Sequence, residues 1–197
     1  MILYSWAGRL GVFGADVIYE AVKGKLPITP PPGPQPPLGF NVALHGESLR
    51  ISPPGGRWQV EVPYHFFVFS LQAAPGPGGA WTEALAISTG TAPDAAPPGY
   101  SQATIGLIVV SEAALEAFEA DLAGSLRVDA GKKAEPVAGT KYASRASYDA
   151  RTRMHTELII VQSANGAAAV YYAGLDGTYQ ANRPHFVDFL KRLRLPD

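Results

Sequence analysis

The sequence predicts an α+β domain, in which a mostly antiparallel β-sheet is flanked by two amphipathic helices. Two observations lead to this fold class. Strand-like segments follow one another with turns between them, and long crossovers between strands are scarce, which favours antiparallel pairing. In addition, residues 157–195 read as strand, turn, strand, turn and helix without interruption. Each amphipathic helix must bury its apolar stripe, so we expect both helices to cover faces of the sheet.

The C-terminal run defines its elements most clearly. Residues 157–162 and 168–173 are predicted strands, with a turn at 163–166 between them and a second break, interpreted as a hairpin turn, at 174–177. Asn182 is predicted to cap the following helix, because asparagine is a favoured N-cap residue. The apolar positions of that helix have the i, i+3, i+4, i+7 spacing of one helical face: Phe186, Phe189, Leu190 and Leu193.

The remaining elements precede this run. Alternating or continuously apolar segments predict five strands upstream of a first helix, at residues 47–52, 57–62, 64–71, 81–88 and 104–110. Ser111 is predicted to cap the first helix, whose apolar stripe comprises Leu115, Phe118, Leu122 and Leu126. A further strand is expected within residues 138–153, with a bend at 149–151 that leads into the next strand. The predicted order is therefore five strands, a helix, three strands and a helix.

Length and composition limit the classes of protein that this chain can represent. Its 197 residues are enough for one domain with a tail or for two small domains, and 47% of them are apolar, which is sufficient for a core. The formal net charge of −1 provides no whole-protein field that would attract nucleic acid or anionic lipid. The sequence contains no cysteine, which excludes disulfides, thiolate catalysis and cysteine-based metal sites.

The chain divides into three predicted parts. Residues 1–26 form an N-terminal amphipathic segment, residues 27–38 a proline-rich linker, and residues 39–197 the α+β domain. Proline at this density fixes φ and removes backbone donors, so the linker is expected to be a semi-rigid polyproline II spacer. Within residues 1–23 the apolar side chains share a helical face, but the charged residues and their order argue against a signal peptide or a membrane span.

Three roles for residues 1–23 remain open at this point. The segment packs on the domain, or it docks on a membrane surface, or it docks on a protein partner. The sequence also leaves the cellular compartment open. The chain is cytoplasmic as it stands, and it is periplasmic or lipoprotein-like if an N-terminal signal has been removed.

The order and local texture of residues 47–195 resemble the PsbP-like α/β/α sandwich group. The resembling features are an early strand with Trp58 and Pro63, a helix at 111–125 after a buried strand, a small-residue turn at 136–139 before the strand at 142–148, and a strand at 169–172 that leads into a final helix. The group includes photosystem II PsbP, the Mog-type Ran-binding protein, bacterial DcrB-like lipoproteins and the Eag chaperones of type VI secretion. The resemblance implies a protein that acts by binding, and it assigns no individual binding residue.

The four histidines are the first candidates for catalysis. His45, His65, His155 and His185 show neither H-x-x-x-H nor H-x-H spacing, so we predict no metal site and no cofactor. The chain also lacks the G-x-S-x-G motif that presents a nucleophilic serine in many hydrolases. A hydrolase that uses His45 or His65 with a nearby serine or aspartate is kept as an alternative.

Two surfaces are candidate binding sites. If one face of the sheet is uncovered, the aromatic strand would line an apolar groove through Tyr64, Phe66, Phe67 and Phe69; the alternative is that both faces are covered. The second candidate is a basic patch within residues 127–153, which hold seven Lys or Arg against three Asp or Glu. Its candidate members are Lys132, Lys133, Lys141, Arg145, Arg151 and Arg153. A solvated strand face, an acidic partner and nucleic acid are the three interpretations, and the balanced net charge argues against nucleic acid.

The leading hypothesis from the sequence is a non-enzymatic binding or accessory protein. It would use the sheet face or its rim to bind another protein or a hydrophobic ligand, in the manner of a chaperone, an adaptor or a lipoprotein. The alternatives are the hydrolase and a structural assembly component that docks through residues 1–23.

Overall fold

The computed structural model describes residues 40–63, 66–75, 81–89, 103–111, 122, 124–129, 131–163 and 166–195. The predicted N-terminal segment and the proline-rich linker lie outside these residues. So does most of the predicted first helix, of which residues 122 and 124–126 are described and are helical.

The described residues form two antiparallel sheets and one long helix. A three-stranded sheet has the order β1-β2-β3, and a seven-stranded sheet has the order β4-β5-β6-β10-β9-β8-β7. The helix α1 spans Asp176–Arg192. The strands are β1 (Asn41–His45), β2 (Ser48–Ser52), β3 (Val60–Pro63), β4 (Phe67–Pro75), β5 (Trp81–Ser88), β6 (Thr104–Ser111), β7 (Glu135–Pro136), β8 (Ala143–Asp149), β9 (Met154–Ser163) and β10 (Gly166–Leu175).

Every pairing between neighbouring strands is antiparallel in the described part of the chain, as the sequence predicts. The hairpin of β9 and β10 is the longest ladder, and it runs from Gly166 opposite Ser163 to Leu175 opposite Met154. Strand β10 also pairs with β6, so the hairpin lies at the centre of the large sheet. A central position explains the continuous apolar runs of these strands, at 158–161 in β9 and 167–173 in β10.

The core lies on both faces of the large sheet. Because side chains alternate along a strand, β10 sends Val170 and Tyr172 to one face and Ala169 to the other. The first face packs against α1, against Trp58, and against the small sheet, which contributes Leu49, Ile51, Val60 and Val62. The opposite face packs Ala169 and Leu158 against Leu122 and Val128. In this central region both faces are covered.

One glycine allows close packing on the second face. Gly106 of β6 lies directly opposite Tyr171 of β10. The aromatic ring of Tyr171 covers the glycine so closely that a Cβ added at Gly106 would lie 2.0 Å from the ring. Burial raises the pKa of Tyr171 to about 12, because the phenolate would be desolvated there. The missing side chain therefore provides the space that this ring fills.

The structure corrects the predicted start of the C-terminal helix. The predicted break at 174–177 is wrong, because β10 continues through Leu175 and the helix begins at Asp176. Leu175 occupies the N-cap position and makes no side-chain cap hydrogen bond. Asn182 lies inside the helix, where its Nδ2 donates to the carbonyl of Thr178 at 2.9 Å. Its Oδ1 accepts a hydrogen bond from the Thr89 hydroxyl at 2.8 Å.

Two short strands are additional to the prediction. Strand β1 pairs with β2, and β7 pairs with β8 over two residues. Strand β1 is largely exposed, which explains its weak apolar pattern. The two-residue β7 contains Pro136, a residue that sheets admit at edges.

No helix among the described residues has the length and apolar character needed to span a membrane.

Candidate functional site

A groove lies between the N-terminal half of α1 and the edge of the large sheet at β7 and β8. Its volume is about 340 Å³. The lining residues are Lys132, Lys133, Glu135, Pro136, Ser144, Ala146, Glu157, Tyr179, Gln180 and Arg183, and we refer to this set as the basic groove. Cavities that bind ligands have volumes of about 300–1,000 Å³, so the basic groove falls at the small end of that range.

The groove exists because the β7–β8 ladder ends early. Glu135 pairs with Ser144 and Pro136 with Ala143, and no further pair follows toward Lys132. Side chains replace the missing main-chain ladder. Lys132 donates from Nζ to the carbonyl oxygen of Ala146 at 2.7 Å, and Arg145 donates from Nε to the carbonyl oxygen of Lys132 at 2.9 Å.

The floor of the groove is a buried carboxylate with three donors. Glu157 of β9 is 2% exposed, and its Oε1 accepts hydrogen bonds from the Tyr179 hydroxyl and, at 2.7 Å, from Nε of Arg183. Its Oε2 accepts from the Ser144 hydroxyl at 2.8 Å and from Nη2 of Arg183 at 3.3 Å. A buried carboxylate is tolerated when its charge is paired and both oxygens are hydrogen-bonded, and both conditions hold here.

This network shifts the pKa values of its members in opposite directions. Burial acts to raise the pKa of Glu157, but the hydrogen bonds from Arg183, Tyr179 and Ser144 together outweigh it and hold this pKa below its usual value. The pKa of Tyr179 is raised, first by burial and then by the hydrogen bond to Glu157. Tyr179 is anchored in turn by Tyr172, whose hydroxyl donates to the Tyr179 carbonyl at 2.6 Å. The floor therefore holds a carboxylate, a neutral phenol and a guanidinium at neutral pH.

Uncompensated positive charge lies along the rim. Lys133 and Glu135 take part in no ion pair with another described residue, and Lys132 is bound to a neutral carbonyl. Arg183 uses Nε and Nη2 for Glu157, so Nη1 has no hydrogen-bond partner among the described residues. Three cations and two carboxylates line the groove; Arg183 and Glu157 neutralise each other at the floor, which leaves Lys132 and Lys133 against Glu135.

The structure divides the predicted basic patch. Lys132 and Lys133 line the groove, and Arg145 is joined to Lys132 by the hydrogen bond described above. Arg151 and Arg153 lie in the turn between β8 and β9, outside the groove. There, Arg151 lies 3.7 Å from Asp149, and Arg153 pairs with Asp176 at 2.7 Å. Lys141, the remaining member, lies 5.7 Å from the ring centroid of Tyr142.

The predicted aromatic groove is described only in part. Tyr64 and the side chains of Phe67 and Phe69 lie outside the described residues. Phe66 is 5% exposed and packs edge-on against His185, with ring centroids 5.2 Å apart. It borders a cleft of about 30 Å³, which has room for water but none for an organic ligand.

The described histidines make structural contacts. His45 lies opposite Ser48 in the β1–β2 ladder, and its Nδ1 is 3.2 Å from Oε1 of Glu61. The Ser48 hydroxyl accepts a hydrogen bond from Arg192 at 3.2 Å, and it makes no hydrogen bond to His45. His155 stacks on Tyr179, and His65 lies outside the described residues. Within the described ranges no cluster of three or more His, Cys, Asp or Glu residues is arranged to hold a metal ion.

The floor residues of the groove were missed at the level of sequence. Glu157 directly precedes the apolar run 158–161 of a strand that becomes central to the sheet, and a charged residue in that position requires a buried partner. Tyr179 and Arg183 are four residues apart, so they share a helical face. These two signals together could have indicated the pairing, although the wrong helix start placed Tyr179 in a loop.

Comparisons with known proteins add little to this picture. No known protein family matches the chain, and no curated protein matches it. A solved crystal structure from Bacteroides thetaiotaomicron is similar at a TM-score of 0.40 and 11% sequence identity. The match covers 77% of this chain and 49% of the other, so this chain spans about half the length of that protein. A similarity of this size carries no argument about function.

Proposed function

We propose that this protein is a non-enzymatic binding or accessory protein and that it holds a protein partner in the basic groove. The observation that carries the proposal is the groove itself, where a hydrogen-bonded floor lies beneath a rim whose Lys133 and Glu135 form no ion pair with another described residue. The floor residues satisfy one another, and therefore they are suited to positioning a ligand. A general acid or base must lie within hydrogen-bond reach of the proton that it transfers, whereas both oxygens of Glu157 already accept hydrogen bonds from the protein.

We also propose that the domain belongs to the PsbP-like α/β/α sandwich group. A central antiparallel sheet, a long C-terminal helix on one face and apolar contacts from residues 122–128 on the other are in keeping with that group. Members of the group generally act by binding, which agrees with the proposed function. The hydrolase, the hydrophobic-ligand protein and the assembly component docked through residues 1–23 are the competing proposals.

A substitution that fills the groove tests the proposed function. Ala146 is exposed on β8 and lines the groove, so Ala146→Trp should occlude it without disturbing the core. The matched control is Ala143→Trp. Ala143 lies on the same strand and is also exposed, but it is three positions before Ala146, so its side chain points to the opposite face.

The measurement is affinity purification of the tagged full chain from its native cells, followed by binding assays with the purified partner. The proposal expects a partner that binds the wild type and Ala143→Trp equally and binds Ala146→Trp at least about tenfold more weakly, a difference of about 1.4 kcal/mol. Equal binding by all three proteins would show that the groove is not the site that binds the partner. Hydrolytic turnover that disappears in His45→Ala would support the hydrolase instead.

A further inference from the structure

We infer that the occupant of the basic groove is an acidic peptide segment of the partner, whose carboxylates pair with Lys133, Lys132 and Arg183. This inference rests on the proposed function and names the chemistry of the ligand. It follows from the distribution of charge in the groove and from the contact that Lys132 makes across it.

The charge of the groove selects an acidic ligand. Both oxygens of Glu157 are occupied by groups of the protein, so this carboxylate has little attraction left for a cationic ligand. Lys133 and Nη1 of Arg183 are available, and the side chain of Arg183 is 38% exposed. A guanidinium binds carboxylates through a planar fork of N–H donors. A ligand carboxylate that approaches the edge of the Arg183 guanidinium would bind Nη1.

The side chain of Lys132 makes a contact across the groove. Its ammonium group binds the carbonyl oxygen of Ala146, which is a neutral acceptor. A carboxylate is the stronger acceptor for an ammonium donor, because it adds the attraction between two opposite charges. An acidic ligand would therefore draw Lys132 away from Ala146 and widen the gap between β8 and the segment that precedes β7.

Peptide is favoured over nucleic acid because no exposed aromatic ring is among the residues that line the groove. Proteins that bind single-stranded nucleic acid combine basic grooves with exposed aromatic rings. The aromatic residue of this groove is Tyr179, which is 6% exposed and stacked between His155 and Tyr172. The net charge of −1 for the whole chain also provides no general attraction for a polyanion.

The experiment is a direct binding assay on the full chain. The probe is a fluorescein-labelled decapeptide of alternating glutamate and serine, and the readout is fluorescence anisotropy at several salt concentrations. Lys133→Glu reverses one rim charge, and Lys141→Glu is the matched control, because Lys141 is an equally exposed lysine that does not line the groove. A lysine–serine peptide and a single-stranded oligonucleotide of equal charge are the comparison ligands.

The inference expects the acidic peptide to bind, with affinity that falls as salt rises. Lys133→Glu should weaken it by about tenfold, whereas Lys141→Glu should change it by less than about twofold. Tighter binding of the oligonucleotide, preference for the lysine peptide or equal effects of the two substitutions would each overturn it. If Ala146→Trp abolishes partner binding while the acidic peptide does not bind, the ligand class alone is wrong. If Ala146→Trp leaves partner binding unchanged, the proposed function itself fails.

Discussion

Arg183 of the C-terminal helix donates from Nε to Oε1 of Glu157 on strand β9 at 2.7 Å. The two residues are 26 positions apart in the chain, and the pair fixes the helix against the central hairpin. It also neutralises the one fully buried carboxylate of the groove. The same contact therefore supports the fold and sets the charge that a ligand would meet.

Removing the buried carboxylate should destabilise the domain. Glu157→Leu leaves the Tyr179 and Ser144 hydroxyls and the Arg183 guanidinium without their acceptor, and we expect a loss of about 3 kcal/mol in the free energy of unfolding. Urea denaturation followed by circular dichroism measures it. The control is Asp188→Leu, because Asp188 forms an exposed pair with Lys191, and such pairs contribute less than about 1 kcal/mol. Equal losses in the two variants would contradict the structural role of the network.

The same residue should make stability depend on pH. The pKa of Glu157 is held below its value of 4.5 in the unfolded chain, so the unfolded state binds the proton first as pH falls. The stabilisation from Glu157 is complete above pH 4.5, and it is lost progressively below that as pH falls through the lower folded-state pKa. Other carboxylates with lowered pKa values, such as Asp149 and Asp176, contribute in the same direction.

A variant that cannot titrate isolates the contribution of Glu157. Glu157→Gln keeps the shape of the side chain but binds no proton. As pH is lowered from 4.5, the free energy of unfolding of this variant should therefore fall less steeply than that of the wild type. Denaturant midpoints measured across this range for both proteins give the comparison. Parallel curves would mean that Glu157 has the same pKa in the folded and unfolded chain.

Gly106 should tolerate no side chain while Tyr171 is present. We expect Gly106→Ala to cost about 1–3 kcal/mol, because the new methyl group would displace the ring that covers this position. In a Tyr171→Leu background the same substitution should cost much less, since the ring is gone. Thermal unfolding of the four proteins of this double-mutant cycle gives the coupling between the two residues. A cost that is the same in both backgrounds would show that the close approach is unimportant.

A second buried carboxylate allows a matched comparison of ion pairs. Glu83 is 1% exposed and accepts from Nε of Arg57 at 3.1 Å, and its Oε2 has no hydrogen-bond partner among the described residues. Arg57→Met should cost about 2–3 kcal/mol, because it leaves the carboxylate buried without its cation. Arg50→Met should cost less than about 1 kcal/mol, because the partner, Glu61, is 26% exposed.

The double variant Arg57→Met with Glu83→Leu completes the test. Removing both charges avoids an unpaired buried carboxylate, so this protein should be more stable than Arg57→Met alone. The free energy of unfolding from urea titration decides it. A double variant that is less stable than the single one would mean that Glu83 stabilises the core by itself.

The strands were predictable wherever local pattern and final environment agree. The alternation in residues 47–52 and the apolar run in residues 104–110 each predict a strand, and β2 and β6 lie there. The helix start was not predictable by the same rules. Propensity favours Asn182 as a cap, but a hydrogen bond from Thr89 and another to Thr178 hold it inside α1. These two hydrogen bonds outweigh a local capping preference of about 1 kcal/mol.

Only the positive charge of the groove was predictable from the sequence. The excess of lysine and arginine within residues 127–153 is visible in the sequence, and two of the predicted residues, Lys132 and Lys133, do line the groove. The floor comes from β8, β9 and α1, which meet only after the sheet has formed. No spacing rule connects Ser144, Glu157 and Arg183, because the distances between them depend on strand register and on the packing of the helix.

The sequence by itself determined the fold class, because the periodicity of apolar residues decides which segments become strands and helices, and turns too short for crossovers make the sheet antiparallel. It also determined where the basic residues are concentrated. Only the tertiary structure decided which of those residues share one groove and which are paired with Asp149 or Asp176. The physical reason is that an ion pair acts over a few ångströms in space, and separation along the chain does not fix that distance.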